Sequence, residues 1–199
     1  MKKLLLVLFL AGAGSAWGQY GELWFSAGQS IMNSAGLGSP TPTGSKDDVK
    51  LDNGFRFGFR IGFNGDTIFG HEFQYAYSRT HLLFGPQDLG GMAVHTGGYN
   101  FLIYATPEGT RVRPFATGGL IFSNYVPPGS SAGQGGGSTK FGFNYGGGLK
   151  VRVGDKWAVR FDLRQYTTPK PNFFGNTPLF NNGGWIRQTE ASAGFGFVF

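Results

Sequence analysis

The chain has 199 residues, of which 36 are glycine, 21 are phenylalanine, only 14% are charged and none is cysteine. Ordinary soluble domains are about 25% charged, and disordered chains combine low hydrophobicity with high net charge, so a chain with 40% apolar residues and a net charge of +6 fits neither class. The missing cysteines exclude disulfides and thiolate metal sites. No run of about five to eight Lys and Arg residues points to nucleic-acid binding.

Residues 1–18 have the three parts of an export signal. Lys2 and Lys3 form a charged start, residues 4–13 are an apolar run, and Ala16 and Gly18 have the small-x-small spacing of a cleavage site. A buried helix or a membrane anchor is the alternative, but an anchor needs about 20 apolar residues. This run is too short for an anchor, so we predict a signal peptide over 1–18 and one barrel domain over 19–199.

Beyond residue 18, apolar and polar residues alternate with a period of two, which is typical of strands whose faces meet different environments. In residues 55–63, Phe and Ile occupy one face while Arg and Gly occupy the other. The alternation predicts eight strands, at 20–32, 49–63, 67–83, 93–105, 111–123, 140–153, 157–167 and 185–199. Pro114 and paired glycines interrupt the fifth strand, so its inward face is left unassigned.

The connections between these strands alternate in length. Short turns lie at 64–66, 106–110 and 154–156, and long segments rich in Gly, Pro, Ser and Asn lie at 33–48, 84–92, 124–139 and 168–184. Membrane barrels have short periplasmic turns and longer external loops. The order therefore predicts that both termini are periplasmic and that the long loops are the place for an extracellular ligand.

The composition of the two faces indicates which one meets lipid. A soluble barrel would carry the charged face outside, but that face is poor in Lys and crowded with Gly. An eight-stranded barrel is just wide enough for side chains to fill, so inward glycines make room for long Arg and Glu chains. The predicted strands also reach the roughly 9–11 residues that a bilayer requires. We predict an all-β fold, an eight-stranded antiparallel transmembrane β-barrel with an up-and-down meander.

Two segments of the chain resemble a known family. Residues 140–166, which include FGFNYGGGLKVR and WAVRFDLRQY, look like the penultimate hairpin of the small OmpA-like and OmpX-like outer-membrane β-barrels. The ending AGFGFVF, with Phe195, Phe197 and Phe199, resembles the carboxy-terminal signal read by the outer-membrane assembly machinery. The resemblance implies an outer-membrane location, with that machinery and outer-membrane lipid as partners. It implies only the barrel domain, because no peptidoglycan-binding segment follows.

Charged residues on the inward faces predict an ion network in the lumen, because an unpaired buried charge is costly. A tight turn at 64–66 puts Gly58 opposite Glu72, so that Arg56 and Arg60 lie diagonal to Glu72 and hold it. The predicted network contains Arg56, Arg60, Glu72, Lys150, Arg160, Asp162, Arg164 and Glu190.

The turn at 154–156 supplies the second half of this network. It puts Lys150 opposite Arg160, with Asp162 diagonal to Lys150 and flanked along its strand by Arg160 and Arg164. The first interpretation is a structural plug in a protein with a structural or cell-surface interaction role. The second is a narrow pore with a weak preference for anions, because inward cations outnumber inward carboxylates.

A third interpretation, a lipid-modifying enzyme, has weak support. Ester hydrolysis would need a Ser and an acid beside a His at the outer rim, and only Ser78 and Asp88 lie near His81 and His95. These histidines and His71 also lack the ligand spacing of a metal site. We therefore expect no catalytic, cofactor or metal-binding residues.

Overall fold

A computed structural model describes residues 20–34, 36–65, 68–130, 137–174 and 177–199. The predicted signal peptide lies outside these residues, and within them no helix is long and apolar enough to cross a membrane. The described strands are β1 (Tyr20–Ser34), β2 (Gly36–Gly38), β3 (Val49–Leu51), β4 (Gly54–Asn64), β5 (Phe69–Phe84), β6 (Gln87–Tyr104), β7 (Val112–Val126), β8 (Ser138–Arg152), β9 (Trp157–Pro169), β10 (Phe173–Phe174), β11 (Thr177–Pro178) and β12 (Trp185–Val198).

The eight long strands in the described part of the chain, β1, β4 to β9 and β12, form a closed antiparallel barrel. Each long strand pairs with the next one along the chain, and β1 pairs with β12 to close the ring. The predicted fold and meander are confirmed. We call the end that carries the termini the terminal end, and the opposite end the loop end.

The pairing register sets the width of the barrel. A path that starts at Ser30 on β1 and steps each time to the paired residue on the next strand returns to β1 at Tyr20, ten residues from its start. The residues on this path are, in order, Glu190, Arg164, Gly146, Thr117, Leu102, Gly70 and Asn64. This offset over eight strands corresponds to a tilt of about 40°. A barrel of this size has an interior that side chains fill.

The predicted inward and outward faces are confirmed. Along β5, Phe69, Phe73 and Tyr75 are about half exposed on the outside, whereas Glu72 is buried inside. Glycines inside the barrel provide space for large rings. A Cβ on Gly196 would lie 2.3 Å from the indole of Trp24, which is fully buried, so this glycine allows a tryptophan to point inward.

The strand left unassigned in the sequence follows the same alternation. In β7, Arg113, Phe115 and Ile121 are buried inside, whereas Leu120 and Phe122 are exposed outside. Pro114 lies on the outward side near the start of the strand, and it pairs with Leu149 in β8.

The prediction of a long loop at 84–92 is wrong. β5 and β6 continue as a hairpin to a two-residue turn, in which Phe84 pairs with Gln87 and Gly85 has a φ of 56°. The register shifts between His81 and Leu83, opposite Gly90, whose φ is 110°. Glycines in a turn and beside a bulge therefore give this strand segment the composition of a loop.

The other long connections also contain local structure. β2 lies in the first one and pairs with β3, which extends the sheet beside β5. β3 is the first part of the predicted strand 49–63, which is therefore interrupted at residues 52–53. β10 and β11 pair with each other in antiparallel orientation in the last connection. In the connection predicted at 124–139, residues 131–136 lie outside the described part of the chain.

Candidate functional site in the barrel lumen

The middle of the lumen holds three carboxylates and four guanidinium groups. All seven residues are at most 5% exposed, so they are removed from solvent. They come from β4, β5, β9 and β12, and they are Arg56, Arg60, Glu72, Arg160, Asp162, Arg164 and Glu190. We call this set the central cluster. It contains every predicted lumen residue except Lys150.

Glu72 on β5 is held from the opposite wall of the barrel. Its carboxylate accepts hydrogen bonds from Arg160 at 2.5 Å and from Arg164 at 2.9 Å, both on β9. Arg60 lies 3.7 Å away, and the side-chain amide of Asn100 donates at 3.2 Å. Asp162 lies between the two β9 arginines and accepts from Arg160 at 2.8 Å and from Arg164 at 2.9 Å.

The predicted pairing of Arg56 with Glu72 is wrong. Arg56 donates instead to Glu190 on β12, at 3.0 Å, and Arg60 donates to the same carboxylate at 2.6 Å. The reason is the register at the first turn, where Gly62 rather than Gly58 lies opposite Glu72. The turn is longer than predicted, so Arg56 moves away from Glu72 along the barrel.

Lys150 lies outside the central cluster. The predicted register is confirmed, since Lys150 is opposite Arg160, but the ammonium group crosses the lumen to the carboxylate of Glu22 on β1. The indole of Trp24 donates to the same carboxylate at 2.9 Å, and Lys150 also donates to the hydroxyl of Tyr104 at 2.5 Å. Two separate charged layers therefore replace the single network predicted.

A third ionic group lies at the terminal end, beside the turn between β6 and β7. The carboxylate of Glu108 accepts from Arg113 and, at 3.0 Å, from Arg152. The guanidinium carbon of Arg113 lies 3.7 Å from the centre of the Tyr104 ring, a cation–π contact. The side chains of Glu108, Arg113 and Arg152 at this opening are thus paired with each other.

An apolar cluster fills the loop end of the lumen. Inward residues of β5, β6, β7 and β12 meet residues from β2, β3 and the last connection there; the members are Leu37, Val49, Leu51, Leu82, Met92, Val94, Tyr125, Leu179 and Ile186. All nine are at most 6% exposed. We call this set the apolar cap.

Sequence reasoning missed Glu22, Arg113 and the apolar cap. Glu22 has the same parity as Trp24 and Ser26 on β1, so the alternation contained the signal for an inward carboxylate. Arg113 lies on the strand whose face was left unassigned. The apolar cap has no such signal, because Leu37 and Leu179 come from the connections 33–48 and 168–184, which the sequence predicts to be loops.

The residues considered for catalysis do not form a catalytic arrangement among the described residues. Ser78 is buried in the lumen and accepts a hydrogen bond from Arg56 at 3.1 Å, whereas Asp88 lies 2.8 Å from His81 on the exposed hairpin. His71 and His95 lie outside, beside the hydroxyls of Tyr99 and Tyr75 at 2.5 and 2.7 Å. The same residues contain no group of three or more potential metal ligands.

The fold is similar to several solved outer-membrane barrels. Neisserial surface protein A has a TM-score of 0.58 and 16% identity, over 92% of this chain and 97% of that one. OprG from Pseudomonas aeruginosa has a TM-score of 0.56 and 11% identity, over 92% and 97%. Ail from Yersinia pestis, crystallised with the heparin analogue sucrose octasulfate, has a TM-score of 0.52 and 13% identity, over 92% and 99%. At these identities the likeness concerns the fold alone.

The family comparison covers nearly the whole sequence. No curated protein matches the chain significantly in sequence, but the model of the outer membrane protein beta-barrel domain matches residues 4–199. The lipid-compatible outer face, the charged interior and the closed eight-stranded ring agree with this match. The chain belongs to the outer membrane protein beta-barrel domain family, and it is a transmembrane protein of the outer membrane.

Proposed function

We propose that this protein is a non-conducting outer-membrane barrel with a structural or cell-surface interaction role. The observation that carries the proposal is the succession of buried layers along the lumen. The ionic group around Glu108 lies at the terminal end, the pair of Glu22 and Lys150 and then the central cluster follow, and the apolar cap covers the loop end. Ions would have to displace paired charges and then cross an apolar layer.

The central cluster has the role of a structural staple in this proposal. Glu72 joins β5 to β9 across the lumen, and Glu190 joins β12 to Arg56 and Arg60 on β4. Removing one member of a buried ion pair strands the other charge, which typically costs about 3–5 kcal/mol. The cluster thus favours one closed arrangement of the barrel wall.

A narrow pore with a weak preference for anions is the second candidate. The observation that favours it is the excess of cations, since four arginines face three carboxylates in the central cluster. A residual pathway through the lumen would attract anions for this reason. The apolar cap argues against such a pathway, because it contains no charged side chain to replace the hydration of an ion.

The loop end is the surface that we propose for an extracellular ligand. Loops 33–48 and 168–184 meet there through paired backbone hydrogen bonds of 2.8 Å between Ser39 and Phe180. The amide of Asn181 also donates to the carbonyl oxygens of Pro42 and Gly44. Two further segments belong to the loop end: 84–92 is a projecting hairpin between β5 and β6, and 124–139 connects β7 to β8. The first and last loops therefore support each other as one platform.

Lys170 is a buried cation of this platform. Burial lowers the pKa of its ammonium group, and the Asp47 carboxylate partly opposes that effect.

The last strand supports the proposed contact with the assembly machinery. Phe195 and Phe199 are exposed on the outer face of the barrel wall, and Phe197 lies between them on the same face, partly buried. Phe199 and Gly21 exchange backbone hydrogen bonds of 2.9 Å, which close the seam between β12 and β1. We propose that these three aromatic residues act as the assembly signal.

Ion efflux from vesicles tests the proposed function. Purified protein would be folded into vesicles loaded with potassium chloride, and chloride and potassium release would be followed separately. The proposal expects release at the rate of protein-free vesicles. Chloride release that rises with the amount of folded protein would support the pore and overturn the plug.

A further inference from the structure

An apolar groove of about 600 Å³ runs over the outer face of β12, β1, β4 and β5. Small residues, among them Ala27 and Ala193, lie between the exposed rings of Phe57, Tyr75 and Phe195. Its volume is in the range of small-molecule sites, and its position on the barrel wall places it within the bilayer. Lipid acyl chains are the apolar groups available to it there.

Arg79 lies directly beyond this groove, toward the loop end. It is two residues after Tyr77, a groove residue, on the same outward face of β5. Its neighbours across the strands are Phe55 on β4 and Ala93 on β6. The side chain is exposed, its guanidinium lies beside Gly91 on β6, and it has no ion pair or hydrogen bond within the described ranges. All four arginines of the central cluster, in contrast, contact carboxylates.

The depth of Arg79 explains how an unpaired charge is tolerated on the lipid face. A tilted strand crosses the hydrocarbon in about 9–11 residues. With Phe69, the first outward residue of β5, placed at the inner boundary, the outer boundary falls at Arg79. An outward Arg is strongly destabilising at the bilayer midplane but nearly neutral near the interface. The guanidinium group therefore lies at the level of the outer-leaflet headgroups.

We propose that the groove and Arg79 together bind one phosphorylated lipid of the outer leaflet. An acyl chain occupies the groove between the aromatic rings, and the phosphate accepts hydrogen bonds from the Arg79 guanidinium, whose planar fork matches phosphate oxygens. Charge complementarity selects this occupant, because the site joins an apolar channel to a free cation at headgroup depth. The site is outside the lumen, so it is independent of whether the barrel conducts.

Native mass spectrometry of the folded protein in zwitterionic detergent tests the site. The probes are lipid A with its phosphates and the same lipid with its phosphates removed, so that the acyl chains are identical. We expect the wild type to bind the phosphorylated form about tenfold more tightly, the effect of charge-assisted hydrogen bonds. R79Q should remove this preference. Arg111, an exposed cation at the terminal end, supplies the control, and R111Q should retain the preference.

Two further measurements separate the parts of the proposal. Ala27→Phe fills the groove and should weaken binding of both lipids, with Ala27→Leu as a smaller replacement should the first variant fold poorly. A preference that persists in R79Q, an equal loss in R111Q, or displacement of the lipid by free inorganic phosphate would overturn the proposal. Dimers that form without lipid and disappear in the Ala27 variants would overturn it in favour of a second copy of the chain.

Discussion

At the scale of single residues, Glu72 links β5 to the opposite wall of the barrel through Arg160 and Arg164. Glu72→Gln should destabilise the barrel by about 3–5 kcal/mol, or less where water enters, because it leaves the buried Arg160 and Arg164 with Asp162 as their one shared carboxylate in the described structure. Urea unfolding in lipid vesicles measures this loss. Asp88→Asn is the matched control, since the Asp88 side chain is 54% exposed, and surface changes are usually within about 0.5 kcal/mol. Equal midpoints for the two variants would contradict the role of Glu72.

A second prediction concerns the carboxylate with which Arg56 forms its ion pair. Its guanidinium lies 3.0 Å from Glu190, so a double-mutant cycle of Arg56→Gln and Glu190→Gln should show a coupling of about 0.5–3 kcal/mol. The same cycle with Glu72→Gln should show a smaller coupling, since the two side chains share no direct contact in the described structure. A larger coupling of Arg56 to Glu72 would restore the register predicted from the sequence.

The sequence predicts the face of a lumen residue better than its partner. The pairing of β4 with β5 is shifted by an even number of residues from the prediction. Glu72 therefore still faces inward, but the residue opposite it is Gly62 and not Gly58. Alternation fixes only the parity of a strand position. Partners across the lumen depend on tilt and closure as well, which is why Lys150 reaches Glu22 although its predicted neighbour across the strands is correct.

At the scale of elements, the end of β12 closes the barrel. The ring of Phe199 lies over Gly21, where an added Cβ would approach it to 2.5 Å. Phe199→Ser should lower the yield of assembled barrel in the outer membrane, because it removes the aromatic end of the strand. Val153→Ser, at an exposed apolar position in the turn before β9, should assemble normally. Normal assembly of the Phe199 variant would exclude this residue from the signal.

A charged substitution at Leu163 tests which face of β9 contacts lipid. Its side chain is 62% exposed on the outer wall, between Gly147 and Ala191 on the neighbouring strands. Leu163→Arg should destabilise the folded barrel by roughly 2–4 kcal/mol, whereas Val153→Arg near the interface should cost about 0–1 kcal/mol. Unfolding by urea in vesicles gives both values. Equal costs would indicate that Leu163 does not face the hydrocarbon.

The alternation extends over many residues, so the sequence predicts well that a strand exists. It does not predict well where a strand ends. The outer parts of β5 and β6 contain Gly85, Pro86 and Gly90, whose types favour loops. In the structure these residues form a tight turn and part of a bulge, so the hairpin projects farther than the sequence predicts.

At the scale of the whole molecule, the barrel is predictable while the closure of its loop end is not. The number of strands and their membrane setting follow from alternation and composition. The apolar cap combines inward residues such as Met92 and Val94 with Leu37 and Leu179 from connections. A tertiary contact between distant connections leaves no local periodicity, so the sequence predicts a charged network in the lumen but not the apolar layer above it.

Single-channel recording in planar bilayers tests the central claim, that the lumen is plugged, most directly. The wild-type barrel, folded and inserted at known amount, should give no current steps above those of the protein-free membrane in potassium chloride. The reason is that both ionic layers are internally paired and the loop end is covered by apolar side chains. Reproducible steps that increase in number with inserted protein and reverse at a potential showing chloride selectivity would contradict the plug and establish the pore.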